Sequence, residues 1–212
     1  MAILDDISMY LQQGRARNVK KLVEQALTEG LSPQTILQEG LMAGMNIVGQ
    51  KFKEGEVFVP EVLVAARAMN MGMEALKPYL IQEGETAARG KVVIGTVKGD
   101  LHDIGKNLLK LMLESRGFEI IDAGVDVSAE KFIDTAIAEK ADIVCCSALL
   151  TTTMLEMRRV VELAEEKGIR QNIKIMIGGA PVTAKYCAEI GADAYTQDAV
   201  SAADKAVELM AQ

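Results

Sequence analysis

One short stretch has the residue types that metal chemistry needs. Asp100-Leu101-His102-Asp103-Ile104-Gly105 contains the only histidine of the 212-residue chain. A neutral imidazole binds a metal through one ring nitrogen while a carboxylate holds the other nitrogen and fixes the tautomer. Asp100, two residues ahead of His102, is the candidate for that carboxylate. The stretch follows an apolar run, Val92-Val93-Ile94-Gly95-Thr96-Val97, and precedes a helix-like segment from about Lys106. It therefore reads as a strand-to-helix loop, the place where open α/β sheets bind ligands. Taken alone, a loop histidine is more often a solvated or hydrogen-bonded side chain than a ligand.

The elements that must position this loop follow from the rhythm of the sequence. Apolar strand candidates lie at 92–97, 118–122, 142–148, 173–177 and 194–196, with helical stretches at 105–116, 129–139, 153–167, 183–190 and 199–211. The strands are continuously apolar rather than alternating, which predicts a parallel sheet covered on both faces. The expected class is α/β, with a flavodoxin-like (Rossmann-like), doubly wound, parallel five-stranded sheet. Residues 1 to about 83 read differently, as helices packed into a small bundle. One helix runs over 15–29, closed by Gly30. The next is announced by Ser32-Pro33, an N-cap followed by proline at the first helical position, and continues to about Phe52. A third follows Pro60 and carries Val62, Leu63, Ala66, Met69 and Met73 at helical spacing. The polar, small-residue stretch 84–90 marks the boundary and would serve as a hinge. The expected division is a helical bundle cap domain, 1–88, and an α/β domain, 89–212.

Three short motifs fall at the C-terminal ends of successive strand candidates and so at one edge of the sheet: Asp100-x-His102-x-x-Gly105, Ser147-Ala148-Leu149 and Gly178-Gly179. Residues 106–146 separate the first from the second and residues 150–177 the second from the third. In order and spacing they resemble the cobalamin-binding domain of methionine synthase, of corrinoid methyl-carrier proteins and of several mutases. The stretch from Gly95 to Asn107 is similar to the methionine synthase and methyl-carrier branch. Met45-Asn46-x-Val48-Gly49-x-x-Phe52-x-x-Gly55-Glu56-x-Phe58-Val59-Pro60-Glu61-Val62 resembles the helical cap over the methyl face of the cofactor. The two matches span nearly the whole chain, in the manner of the small corrinoid proteins of three-component methyltransferase systems.

The resemblance implies a role for each residue. The cofactor is cobalamin, cycling between methylcobalamin and cob(I)alamin, with its benzimidazole tail inserted into the α/β domain. His102 would replace the tail as lower axial ligand of cobalt. Asp100 would hydrogen-bond the other imidazole nitrogen, and Thr153 would complete the relay where methionine synthase has serine. A proton gained by the Asp100–His102 pair would weaken the ligand and favour Co(I), which is usually four-coordinate. Ser147, Leu149 and Thr151 would border the tail, Gly178 and Gly179 would admit it closely, and Gly105, with Asp103 and Ile104 beside it, would let it pass the first helix. Phe52 and Val59 would shield the methyl face. The partners implied are a substrate-specific corrinoid methyltransferase, a methylcorrinoid:tetrahydrofolate (or related pterin) methyltransferase and a reductive activase. The methyl donors of such systems are methanol, methylamines, betaines or aryl methyl ethers. The protein would then be a cofactor-bearing subunit rather than a complete enzyme.

Plainer roles stand beside these. Thr153-x-x-Glu156 is also a capping-box pattern. Ser147 could simply end a strand, Gly178-Gly179 could be a turn, and Phe52 and Val59 could be ordinary bundle core. The methionines read as packing residues. Formal net charge is −7, which disfavours a nucleic-acid partner. No apolar run is long enough to span a bilayer, the N-terminus lacks signal-peptide character, and three cysteines argue against a disulfide framework. These features together point to a reducing cytoplasm. A cobalamin-dependent sensor is the alternative function, and a carbon-skeleton mutase subunit a third, which the cap-like residues disfavour.

Overall fold

The computed structural model describes residues 2–82 and 89–211. The chain divides into two compact units, Met1–Ala87 and Ala88–Gln212. Most of the 84–90 stretch, and with it the hinge expectation, lies outside the described residues.

The first unit is helical. It comprises α1 (Ala2–Gln12), α2 (Ala16–Thr28), α3 (Pro33–Thr35), a π-helical segment Ile36–Met42, α4 (Ala43–Lys53) and α5 (Val59–Gln82). Ser32 caps α3, its hydroxyl accepting from the Thr35 N–H at 3.1 Å, with Pro33 at the first helical position. The sequence pattern predicts one helix from this cap to about Phe52. The structure instead widens its middle into a π segment before α4 resumes. The individual helix α1 is not among the sequence expectations, yet Ile7 and Leu11 on its inner face are fully buried and α1 packs against α2, α4 and α5. A helix that supplies its own apolar stripe to a shared core needs no strong end signals.

The second unit alternates strand and helix: β1 (Lys91–Val97), α6 (Ile104–Ser115), β2 (Glu119–Val127), α7 (Ala129–Glu139), β3 (Ile143–Ser147), α8 (Leu155–Glu166), β4 (Lys174–Gly178), α9 (Ala184–Ile190), β5 (Ala194–Tyr195) and α10 (Ala199–Met210). All pairings are parallel, in the order β2-β1-β3-β4-β5. This is the doubly wound five-stranded sheet expected from the sequence. Strand β2 runs five residues beyond its predicted end at 122. The extension carries Gly124 and the polar Asp126, and two register irregularities against β1 accommodate it.

Burial follows the pleat. Val93, Val97, Val144, Cys146, Ile175 and Ile177 enter one apolar cluster with residues of α7, α8 and α9. The alternate positions, Val92, Ile94, Ile143, Cys145 and Met176, are equally buried, and α6 and α10 pack together on the β1–β2 side of the sheet. Both faces are therefore covered, which is why these strands read as unbroken apolar runs. Burial pushes the Cys145 thiol up to about 12 and the Cys146 thiol up as well, so both are inert core residues.

Two lysines of α6, Lys106 and Lys110, pair with Asp122 of β2. The buried Lys106 ammonium lies 2.7 and 2.9 Å from the two oxygens of Asp122 and 2.9 Å from Asn107 Oδ1. Burial alone would raise the Asp122 carboxyl, but the Lys106 bond and the Gly124 N–H outweigh it and lower it.

Close packing also fixes Gly95 in β1. A Cβ built there would sit 2.8 Å from the ring of Phe132 and 3.2 Å from Val127. Phe132 is fully buried and has nowhere to move. Gly95→Ala should destabilise the protein by about 1–3 kcal/mol, as overpacked cores do. The urea midpoint checks this, and an unchanged midpoint would show that the α7 face yields.

Candidate functional site

The strand order decides where a site can form. From β1 the chain turns outward to β2, whereas from β3 it turns the other way to β4. The loops after β1 and β3 thus diverge from adjacent strands and leave a crevice at the carboxyl edge of the sheet. Asp100 and His102 lie in the first loop, Leu149 to Thr153 in the second.

Asp100 joins them. It is fully buried. Its Oδ1 accepts from the His102 ring nitrogen Nδ1 at 2.7 Å and from the His102 backbone N–H at 3.1 Å. Its Oδ2 accepts from the Thr153 hydroxyl at 2.7 Å, the Leu149 N–H at 2.8 Å and the Leu150 N–H at 3.3 Å. Desolvation by itself would raise this carboxyl. The hydrogen bonds, led by Leu149 N–H and followed by His102 and Thr153, prevail and hold it well below the usual carboxylate range. Asp100 is therefore ionised at neutral pH and can only accept. The hydrogen on Nδ1 must then belong to His102, and a ring carrying no second proton presents its lone pair at Nε2. Nε2 has no hydrogen-bond partner among the described residues, and about half of the side chain is exposed, 52%. The loop backbone is held as well, since Thr96 Oγ1 donates to the His102 carbonyl at 2.8 Å.

Thr153 has two candidate roles from sequence, and its bonds bear on both. The N-terminus of α8 has Met154 at its cap position, with no side-chain capping bond. The Glu156 N–H goes to the Thr153 carbonyl at 3.0 Å. The Thr153 hydroxyl lies 2.7 Å from Asp100 Oδ2 and 3.0 Å from the Leu150 carbonyl. Its one hydrogen favours the charged acceptor. The threonine methyl group rests 3.5 Å from the Cβ direction of Gly99, against the loop that carries Asp100.

The other sequence candidates divide by position. Thr96, Ser147 and Gly178 form one row across β1, β3 and β4. Ser147 is half-buried, with a hydroxyl that has no partner among the described residues. A Cβ at Gly105 or at Gly178 would meet nothing within 4 Å. Gly179 is different, because at its φ of +132° a Cβ would lie 1.7 Å from the Ala148 carbonyl oxygen. Its lack of a side chain is required by the chain itself, where the loops after β3 and β4 press together. Asp103 precedes α6 and accepts from Asn107 Nδ2 at 3.1 Å without capping the helix. Ile104 and Leu149 expose their side chains, as do Leu101, Leu150 and Leu155, so these two loops carry an apolar rim. Thr151 is exposed in the turn before α8, without a bond to Asp100. Phe52, in the last turn of α4, and Val59, which opens α5, are half-buried in the helical unit.

Thr96, the Leu150 amide and Asp126 are contacts that sequence reasoning missed. A single polar residue inside an otherwise apolar strand was the available signal for Thr96. No sequence signal marks a backbone N–H.

Comparison with known proteins finds relatives over nearly the whole chain. Two family models described as B12 binding domain match, one over residues 90–204 and one over residues 3–77. Dimethylamine corrinoid protein 1 of Methanosarcina acetivorans is 47% identical over 189 residues, covering 89% of this chain and 88% of that protein. The crystal structure of the methanol:cobalamin methyltransferase complex MtaBC from Methanosarcina barkeri includes a chain that superposes with a TM-score of 0.85 at 30% identity, over 99% of this chain and 80% of that one. A cobalamin-binding protein from Desulfitobacterium hafniense superposes with a TM-score of 0.82 at 29% identity, over 97% and 98%.

Asp100→Asn should destabilise the cofactor-free protein by about 2 kcal/mol or more, because an amide cannot accept from every donor converging on it. The sign with pH follows from the lowered carboxyl. Its stabilisation is complete above the unfolded value near 3.8 and is lost as pH falls through the lower folded value. The gap between wild type and Asp100→Asn in urea unfolding should narrow as pH falls below about 4. A gap that widens below about pH 4 would contradict the assignment.

Proposed function

The chain belongs to the B12-binding family of corrinoid proteins, and on that footing we propose that it carries a methyl group between two methyltransferases, one substrate-specific and one serving tetrahydrofolate or a related pterin. The single observation that carries this reading is the line Thr153–Asp100–His102, which ends in an Nε2 lone pair at the mouth of the β1/β3 crevice.

The residues present fit a corrinoid. One imidazole, with no group of three or more His, Cys, Asp and Glu beside it among the described residues, would suit a metal that arrives already held in its own macrocycle. The open Cβ directions of Gly105 and Gly178 leave room beside α6 and β4, and the unpaired Ser147 hydroxyl offers one hydrogen bond between them. The corrinoid, when bound, supplies a cobalt centre able to accept and release a methyl group.

The work left to the chain is positional and electrostatic. His102 would give its Nε2 lone pair to the metal. Asp100, held ionised, keeps the hydrogen on Nδ1 and makes the imidazole a stronger donor. Thr153 shares the charge of Asp100, so its hydroxyl limits how much of that charge reaches His102. Ser147, Leu149 and Thr151 would border the nucleotide tail, with Gly178 and Gly179 forming its floor. The exposed leucines and Ile104 on the two loops would meet the apolar parts of the ligand and exclude water from it.

The names of the relatives support a methylated amine or methanol as methyl source. The pterin methyltransferase and a reductive activase complete the proposed set of partners, and a betaine or aryl methyl ether source rests on the sequence resemblance alone.

Anaerobic reconstitution with hydroxocobalamin, followed by gel filtration, tests the reading. Wild type should retain stoichiometric corrinoid with a spectrum of histidine in place of benzimidazole. His102→Ala should lose that signature, and no retained corrinoid in wild type would overturn the proposal. Thr153→Val keeps the shape and removes the hydroxyl. It should alter the strength of histidine ligation by about tenfold, the scale of changes to outer-shell partners. Methylation of the loaded protein by a methylamine- or methanol-specific methyltransferase then separates the donors.

A further inference from the structure

Asp100 is aimed by its side-chain bonds, but its backbone is held from the next strand by a residue with no assigned role. Asp126, near the end of β2, has φ +52°. Among the described residues only Lys140, at the C-terminal end of α7, shares a positive φ without being glycine. Aspartate tolerates this region better than most residues, and a non-glycine residue found there points to a local demand. The demand is visible in its two bonds. The Asp126 carboxylate accepts from the Gly99 N–H at 2.7 Å, and the Asp126 N–H donates to the Asp100 carbonyl at 3.0 Å. One residue thus grips the peptide units on both sides of Gly99–Asp100.

The strand pairing shows how it gets there. The β1–β2 register shifts between Ile94 and Gly95 and again between Gly95 and Val97, so β2 gains residues on β1. Irregularities of this kind re-aim side chains and recur next to functional sites. Asp126 is exposed and contributes nothing to the core. Its bonds serve only the turn in which Asp100 N–H meets the Val97 carbonyl at 3.1 Å.

We infer that Asp126 is a positioning residue for the Asp100–His102 pair: it sets the backbone of Gly99–Asp100 so that one carboxylate reaches both the β3 loop and the His102 ring. The consequence for the metal rests on the function proposed above, whereas the consequence for the imidazole does not.

The test uses three variants of the full chain. Asp126→Asn retains a carbonyl oxygen acceptor and tolerance of positive φ. Asp126→Gly retains the backbone conformation alone, and Asp126→Ala retains neither. His102 is the only histidine, so the imidazole ¹⁵N spectrum of the cofactor-free protein at fixed neutral pH reads its tautomer without overlap. Wild type and Asp126→Asn should show the hydrogen on Nδ1. Asp126→Ala and Asp126→Gly should show mixed tautomers together with faster amide exchange at Gly99. After reconstitution with hydroxocobalamin, those two variants should favour histidine ligation about tenfold less, with Asp126→Asn close to wild type. Wild-type imidazole spectra in Asp126→Ala and Asp126→Gly would overturn the inference, even if their melting temperatures fall. A wild type with the Nδ1 tautomer but no bound corrinoid would instead defeat the proposed function and leave the positioning role standing.

Discussion

A carboxylate without access to water must be hydrogen-bonded on both oxygens or give up its charge. Asp100 is such a group, and its five donors come from two different loops. The loop after β1 and the loop after β3 are therefore bound to one buried charge. Removing either set of donors would leave an uncompensated ion in the interior. The position of His102 follows from this constraint, because its ring nitrogen is one of the donors that keep Asp100 ionised.

The topology makes that arrangement possible. Adjacent strands whose chains leave in opposite directions open a crevice between their loops. In this sheet the crevice falls between β1 and β3, the strands that carry Asp100 and Ser147 toward it. The core beneath is packed on both faces, with Gly95 under Phe132 as an example of its closeness. A rigid base of this kind holds the loops in fixed register. The irregular end of β2, on the other side of β1, then adds a contact through Asp126.

The site also shows a division between charge and surface. Polar groups turn inward to Asp100, while the side chains of Leu101, Ile104, Leu149 and Leu150 turn outward. A buried polar line under an apolar rim suits a large ligand that presents one coordinating centre and a broad apolar body. Membership of the B12-binding family accords with that shape of problem.

From the amino-acid order alone, the α/β class, the five strands, the candidate ligand and the spacing of its partner motifs could be read. These depend on local signals: unbroken apolar runs for strands covered on both faces, a lone histidine in a strand-to-helix loop, and glycines at strand ends. Strand β2 was read too short because Gly124 and Asp126 interrupt its apolar pattern. The π segment and α1 left no clear signal, since packing against neighbours stabilises them. Other facts belong to the tertiary structure. Thr153 carries a capping-box pattern, and only the fold puts its hydroxyl against Asp100, 53 positions away in sequence. Gly179 looks like a ligand-facing glycine, and only the approach of Ala148 shows why its own chain excludes a side chain there. Asp126 has no motif at all. Such contacts join residues far apart along the chain, and no local pattern encodes a distance that the packing of the whole sheet determines.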